Sequence, residues 1–324
     1  MHDVRPSPET LVALTDIEER TAKAIVNVFE TGRVLGDYSR VTLIPGDTGQ
    51  LTYGRSQTTL ASRGLHDLVD RYCASGEARF AANLRDYLAP LSTGDPALNE
   101  DIYFHNLLRA AADDPAMRGG QDDFFDERYW HPALATAAKE GIATPLGVCV
   151  IYDSLIHGSW PLIRRRTHAA VGAPGAAGEH RWIGSYVSQR LAWLGGHRRR
   201  DLRASVYRPQ TFARMIEHEL WSLELPLVVR DVEINELELL AAPPVTFDGP
   251  PPRSRVIALA QPLATGLDVR LVQLALSRPD NALAVIADGR FGRLSERAVR
   301  EFQGGAGLAP TGQVDGPVFD ALKV

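Results

Sequence analysis

The sequence predicts a mainly α-helical protein with one small β hairpin, closed by a small three-helix C-terminal domain. Three observations predict this. Amphipathic stretches recur at helical spacing from about residue 9 to 235, at 10–30, 64–75, 78–90, 98–112, 132–140, 144–157, 182–194 and 209–221, with Gly, Pro and Asp clusters between them. Strand-like alternation is confined to 40–55, around Val41-Thr42-Leu43-Ile44 and Leu51-Thr52-Tyr53. The composition then shifts between about 236 and 262, where Pro243-Pro244, Pro250-Pro251-Pro252 and Pro262 cannot continue a helix.

Taken in order, residues 1–8 read as a flexible arm and 9–235 as the main helical domain. The first helix carries Ile17, Ala24, Ile25, Val28 and Phe29 on one face, ends near Glu30, and is stopped by Gly32. Asp47 follows in a Gly-rich turn between Gly46 and Gly49, a backbone able to fold tightly and bring it back toward Glu30. Residues 236–262 read as a semi-rigid Pro-rich linker, and 263–324 as the C-terminal domain. In that domain Val269–Leu276 and Ser295–Gln303 are predicted helices, with Ser295 as N-cap, and Pro317–Leu322 is a short third. About 60 residues is small but enough to fold alone.

The chain has 324 residues and a net charge of -5, which gives no reason to expect nucleic acid as a partner. Cys73 and Cys149 lie far apart in apolar contexts, outside any CxxC pair, and read as buried free thiols. No stretch is apolar enough to span a membrane. The first residues lack an apolar core and a cleavage pattern, so they do not read as a secretory signal. The histidines show no zinc spacing, and neither Gly-Xaa-Ser-Xaa-Gly nor a phosphate-binding Gly loop is present, so no metal and no cofactor is expected. Arg164-Arg165-Arg166 and Arg198-Arg199-Arg200 read first as solvated faces and second as attractors for an anionic wall polymer.

Glu30 and Asp47 are the residues that point to chemistry. Two carboxylates held apart in a groove are the equipment of a glycosidase, one protonating the leaving oxygen and the other activating water or attacking the sugar. An acid so used must hold its proton near neutrality, which apolar neighbours such as Phe29 favour. Isolated acidic residues at helix ends and in Gly turns are otherwise solvated or capping groups.

The C-terminal segment resembles the peptidoglycan-binding-like domain. Leu271, Gln273, Leu276, Asp288-Gly289-Arg290-Phe291-Gly292, Ala298-Val299, Phe302-Gln303, Gly307-Leu308 and Thr311-Gly312-Gln313-Val314 carry the resemblance. It implies binding of wall polymer, peptidoglycan among the candidates, and no catalysis.

From about residue 20 to 215 the chain resembles the family 46 glycoside hydrolases, the chitosanases, within the lysozyme-like superfamily. Ala24–Glu30, Tyr38, Asp47, Thr52, Gly54 and Asp67 carry the front of the match. Asp113-Asp114-Pro115, Gln121, Tyr129, Pro132-Ala133, Ala137, Gly141, Gly147, Tyr152-Asp153 and His157-Gly158 carry the middle. The resemblance implies a two-lobed, lysozyme-like helical domain with the hairpin beside its cleft. It implies an inverting endo-glycosidase of β-1,4-linked amino-sugar polymers, with Glu30 as general acid, Asp47 as general base and Thr52 placing the water. Asp153 and Arg190 match a buried supporting network, in which Arg203 or Arg208 is a third member. Tyr38, Tyr53 and Asp67 are the expected substrate-binding positions. Tyr129 and Trp130 could also stack on sugar rings, and Asp122, Asp123, Asp126 and Glu127 could line a cleft for a cationic chain.

Three departures touch the cleft: Thr31 follows the acid where the family carries Asp, Asn or Gln, Gly49 stands where it carries Arg or Asp, and Tyr38 lies one residue further from Asp47. Leu51-Thr52-Tyr53-Gly54 is also similar to phage-type lysozymes. The implied partner is therefore chitosan or a related amino-sugar polymer. The alternatives are a peptidoglycan muramidase of endolysin or exported-toxin type, and a non-catalytic wall- or glycan-binding protein. The resemblance implies a monomer that acts outside the cell or on the wall.

Overall fold

The first helix forms where its local signals are strongest. Thr15 and Glu18 close a reciprocal capping box, with the Thr15 N–H donating to Glu18 Oε2 at 2.7 Å, and Gly32 ends the helix in the left-handed region at φ 72°. The computed structural model describes residues 12–43, 49–55 and 57–324. The arm at 1–8 and Asp47 lie outside the described residues.

The longer helices, in chain order, are α1 (Asp16–Thr31), α2 (Gly64–Ala74), α3 (Ile102–Ala111), α4 (Pro115–Phe125), α5 (His131–Glu140), α6 (Pro145–Ile156), α7 (Trp160–Val171), α8 (Glu179–Gly195), α9 (Tyr207–Glu217), α10 (Leu267–Leu276), α11 (Arg293–Gly305) and α12 (Gly316–Leu322). The strands are β1 (Val41–Thr42), β2 (Thr52–Tyr53), β3 (Thr58–Thr59), β4 (Leu227–Val229) and β5 (Val232–Ile234). The protein is mainly helical, as expected. No helix among the described residues is long and apolar enough to cross a membrane.

The chain divides into two compact units. The first comprises 1–36 and 124–241. Its centre is α6, whose residues Leu146 to Ser154 are all buried, so this helix is apolar on every side except where Asp153 and Ser154 interrupt it. Helices α1 and α5 pack on α6, and α8 packs on α7 and α9. Trp130, Trp182, Tyr152, Tyr186 and Phe212 fill the core between them. Strands β4 and β5 form an antiparallel hairpin whose turn residues Arg230 and Asp231 both take positive φ, the backbone that a two-residue turn needs to match strand twist.

The second unit comprises 37–123 and 242–324. It holds the predicted hairpin, with Val41 opposite Tyr53 and Thr42 opposite Thr52, and β3 adds a third strand to its far edge. It also holds α2, α3, most of α4, and the C-terminal helices α10–α12 around Val272, Leu276, Phe291, Val299 and Phe319. Residues 242–262 are bonded into this unit: the Phe247 N–H donates to Asp113 Oδ1 at 2.8 Å and the Leu267 N–H to the Gly249 carbonyl at 3.0 Å.

Several local expectations change. The predicted helix at 78–90 is two short ones, Ala81–Arg85 and Leu88–Thr93, because Pro90 lacks the N–H that a continuous helix would use. Ser295 does not cap α11, which starts after Gly292; its hydroxyl is buried and accepts from Gln273 Nε2 at 2.9 Å. Helices α4 and α7 and the β4–β5 hairpin were not foreseen.

Candidate active site

Glu30 sits in the last turn of α1, and α9 pins that end. The Tyr207 hydroxyl donates to the Phe29 carbonyl at 2.9 Å, and the Phe29 ring packs edge-on against Tyr207 and Phe212. The next residue of α9 completes the arrangement. Arg208 Nη2 donates to Glu30 Oε1 at 2.5 Å, and Nη1 donates to Asp153 Oδ1 at 2.6 Å. Arg190 Nη1, from α8, donates to Asp153 Oδ2 at 2.5 Å. Four charges thus alternate in one chain, Glu30–Arg208–Asp153–Arg190. Asp153 and Arg190 are fully buried, while the Glu30 side chain keeps 29% of its surface.

The electrostatics follow from that alternation. Burial alone would raise the Asp153 carboxyl, but the Arg190 and Arg208 guanidiniums outweigh it and hold Asp153 below its ordinary range. Burial likewise opposes the charge on Arg208, and Asp153 and Glu30 overcome it, so that guanidinium stays charged. His157, one turn beyond Asp153, is held down to about 4 by burial and by the same two arginines, and is therefore neutral near pH 7.

Arg208, rather than Arg203, is the third member of the network. Arg203 is exposed and donates to the carbonyls of His197 and Arg198. The sequence held a usable signal for this choice. Arg208, Thr211, Phe212 and Met215 recur at helical spacing and are all buried, so an arginine heads a buried stripe and must find a carboxylate.

The other expected site residues lie in the second unit. Thr52, on β2, is 9% exposed, and its hydroxyl donates to the Thr42 carbonyl at 3.1 Å. Tyr38 is buried; its hydroxyl donates to the Asp122 carboxylate at 2.8 Å, and Arg55 pairs with the same carboxylate at 2.7 Å. Burial lifts the Tyr38 phenol to about 12. Gln121 of α4 ties this group to the turn after β2, accepting from the Arg55 N–H at 2.9 Å and donating to the Tyr38 carbonyl at 3.1 Å. Gly54, in the same turn, has φ 80° and sits where a Cβ would lie 2.3 Å from Gln121 Oε1. Asp67, in the first turn of α2, is largely exposed beside His66.

Two aromatic expectations are corrected. Tyr53 is 0% exposed and donates its hydroxyl to the Leu108 carbonyl at 2.7 Å, so its ring belongs to the core and presents no face to a sugar. Trp130 is also core, packed edge-on against Tyr152. Of the acidic residues expected along a cleft, Asp122 is spent on Arg55 and Tyr38, and Asp126 pairs with Lys23 at 2.6 Å. Among the described residues, no group of three or more His, Cys, Asp or Glu is arranged to hold a metal ion.

The model of glycosyl hydrolase family 46 matches residues 24–227, more than half of the chain. This chain belongs to glycosyl hydrolase family 46. It is a glycoside hydrolase of chitosanase type. A second model, described as a putative peptidoglycan binding domain, matches residues 265–322. Among curated relatives, a chitosanase of Bacillus subtilis (strain 168) is 27% identical over 244 residues, covering 69% of this chain and 87% of the relative. Solved family 46 structures share the fold. A mutant chitosanase from Bacillus subtilis MY002 complexed with 6 GlcN matches with a TM-score of 0.58 at 23% identity, over 67% of this chain and 96% of that one. The Gynuella sunshinyii chitosanase in complex with chitotetraose matches with a TM-score of 0.56 at 22% identity, over 68% and 98%.

Proposed function

We propose that this family 46 hydrolase cuts chitosan and related β-1,4-linked amino-sugar chains internally, with inversion, using Glu30 as general acid and Asp47 as general base. The observation that carries this reading is the Glu30–Arg208–Asp153–Arg190 chain of charges, anchored at its far end in the core of the first unit. The Arg208 guanidinium holds Glu30 Oε1 and so fixes the orientation of the acid's carboxyl group. As the proton leaves, negative charge develops on Glu30 beside a cation already in place, which favours the transition state without reorganisation. The network is then neutral in sum, with two carboxylates and two guanidiniums.

In an inverting site the base lies roughly 6.5–9.5 Å from the acid, with a water between them. In this reading Asp47 activates that water and the Thr52 hydroxyl helps to place it. Tyr38 and Asp67 border the sugar-binding cleft. The enzyme works as a monomer outside the cell or at the wall, with the C-terminal domain contacting polymer.

Release of new reducing ends from chitosan and from purified peptidoglycan, run in parallel with Glu30→Gln as control, tests the proposal. Loss of the general acid is expected to lower turnover on chitosan by about 10²–10⁴-fold while the fold is kept. A Glu30→Gln protein with full activity would refute it. Turnover on peptidoglycan alone would replace the substrate with the wall polymer.

A further inference from the structure

Within the second unit, α10 of the C-terminal domain meets α3 through a charge with no access to solvent. Arg270 is 0% exposed. Its Nη1 donates to the Arg109 carbonyl at the end of α3 at 2.5 Å, and its Nη2 donates to the Val245 carbonyl at 2.8 Å. Its Nε lies 3.1 Å from Asp113 Oδ2, also 0% exposed, and its guanidinium lies 4.8 Å from the centre of the Phe247 ring. A second tie runs through Asn106 of α3, fully buried, which donates to the Val285 carbonyl at 2.8 Å and accepts from the Ala287 N–H at 2.9 Å. A domain that merely swings on a tether touches its neighbour through an exposed polar surface. A buried guanidinium held by a carboxylate and two carbonyls is different, because losing any of those partners is costly.

The groups that Arg270 holds lead directly to β2. The carbonyl it caps, Arg109, adjoins the Leu108 carbonyl that receives the Tyr53 hydroxyl, and Tyr53 follows Thr52 on the strand. A cation at the C-terminal end of α3 also meets the negative end of that helix. Asp113 lies two residues before the start of α4, which carries Gln121 to the Tyr38 carbonyl and the Arg55 N–H.

We propose that Arg270 of the C-terminal domain is a positioning residue for hydrolysis: by clamping the end of α3 and Asp113, it sets the strand that bears Thr52 and the turn that follows. The domain is then a built-in part of the hydrolytic machinery and not only a device for finding polymer. The activity readout rests on the function proposed above; the clamp itself is read independently of it.

The experiment uses the full chain with Arg270→Met, Arg270→Lys and, on the exposed face of α11, Leu294→Ser. A soluble chitosan oligosaccharide serves as substrate, so that polymer targeting plays no part. Arg270→Met is expected to lower kcat between about ten- and a hundredfold with KM little changed. Amide hydrogen exchange at 52–55 and 109–113 should accelerate by about tenfold or more. Arg270→Lys should recover part of both, and Leu294→Ser should match the parent. A folded Arg270→Met with parental kcat and parental exchange at 52–55 overturns the proposal. Should that variant fail to fold, the same two results in Arg270→Lys overturn it. If the parent leaves chitosan uncut, the substrate assignment fails, and the exchange data still decide the clamp.

Discussion

Replacing Asp153 by Asn keeps the size of a side chain that sits at 0% exposure between Arg190 and Arg208, and it removes only the charge. Two guanidiniums would then share the interior with a single carboxylate, Glu30, at the network's outer end. Breaking a buried pair by removing one partner costs about 3–5 kcal/mol, because the remaining charge stays desolvated. For a unit of this size that corresponds to a fall in Tm of roughly 6–20 °C.

The pH dependence separates this mechanism from simple misfit. Asp153 titrates below its ordinary value of 3.8 in the folded protein, so its contribution is fully present above that value and is lost as pH falls through the folded pKa. The gap in Tm between parent and Asp153→Asn should therefore be constant from pH 5 to 8 and close only in stronger acid. Thermal unfolding across that range reads it directly. A gap of less than about 2 °C at pH 7, or one that closes already near pH 6, would refute the reasoning, since the ion pairs would then not dominate the site.

Three further outcomes are expected. Arg208→Lys keeps a charge but cannot serve Glu30 and Asp153 with two separate N–H groups in fixed geometry; steady-state kinetics should show a fall mainly in kcat. Tyr53→Phe removes the shorter of two bonds to the Leu108 carbonyl, which keeps the Ala112 N–H at 3.3 Å, and should destabilise by about 0.5–1.5 kcal/mol in denaturant titration, with KM unchanged because the ring meets no substrate. Gly54→Ala faces both a positive φ and the Gln121 side chain, and should cost about 1–3 kcal/mol while lowering activity through the turn after β2.

The features legible in the sequence were those with local causes. The position of Glu30 followed from an apolar stripe and the Gly32 stop, both local to the helix that carries it. The β1–β2 hairpin followed from alternation on either side of a Gly turn, and α10–α12 from apolar spacing between two Gly turns. Asp153 was read from the family resemblance, and its place in the buried run of α6 is the physical reason it requires a cation. Tertiary structure decided which cation. The spacing of Arg208 with Thr211, Phe212 and Met215 pointed toward one face, and the packing of α9 against α1 is what buries Arg208 while Arg203 stays in water. The same holds for Tyr53, whose short strand could present either face until α3 closed over one of them, and for Arg270, a charged residue on an amphipathic helix with nothing in its neighbours to mark it as buried. Capping, turns and periodicity act over a few residues and are written in the sequence. A buried ion pair between residues far apart in the chain has no local signature, because its free energy exists only once both partners have left water together.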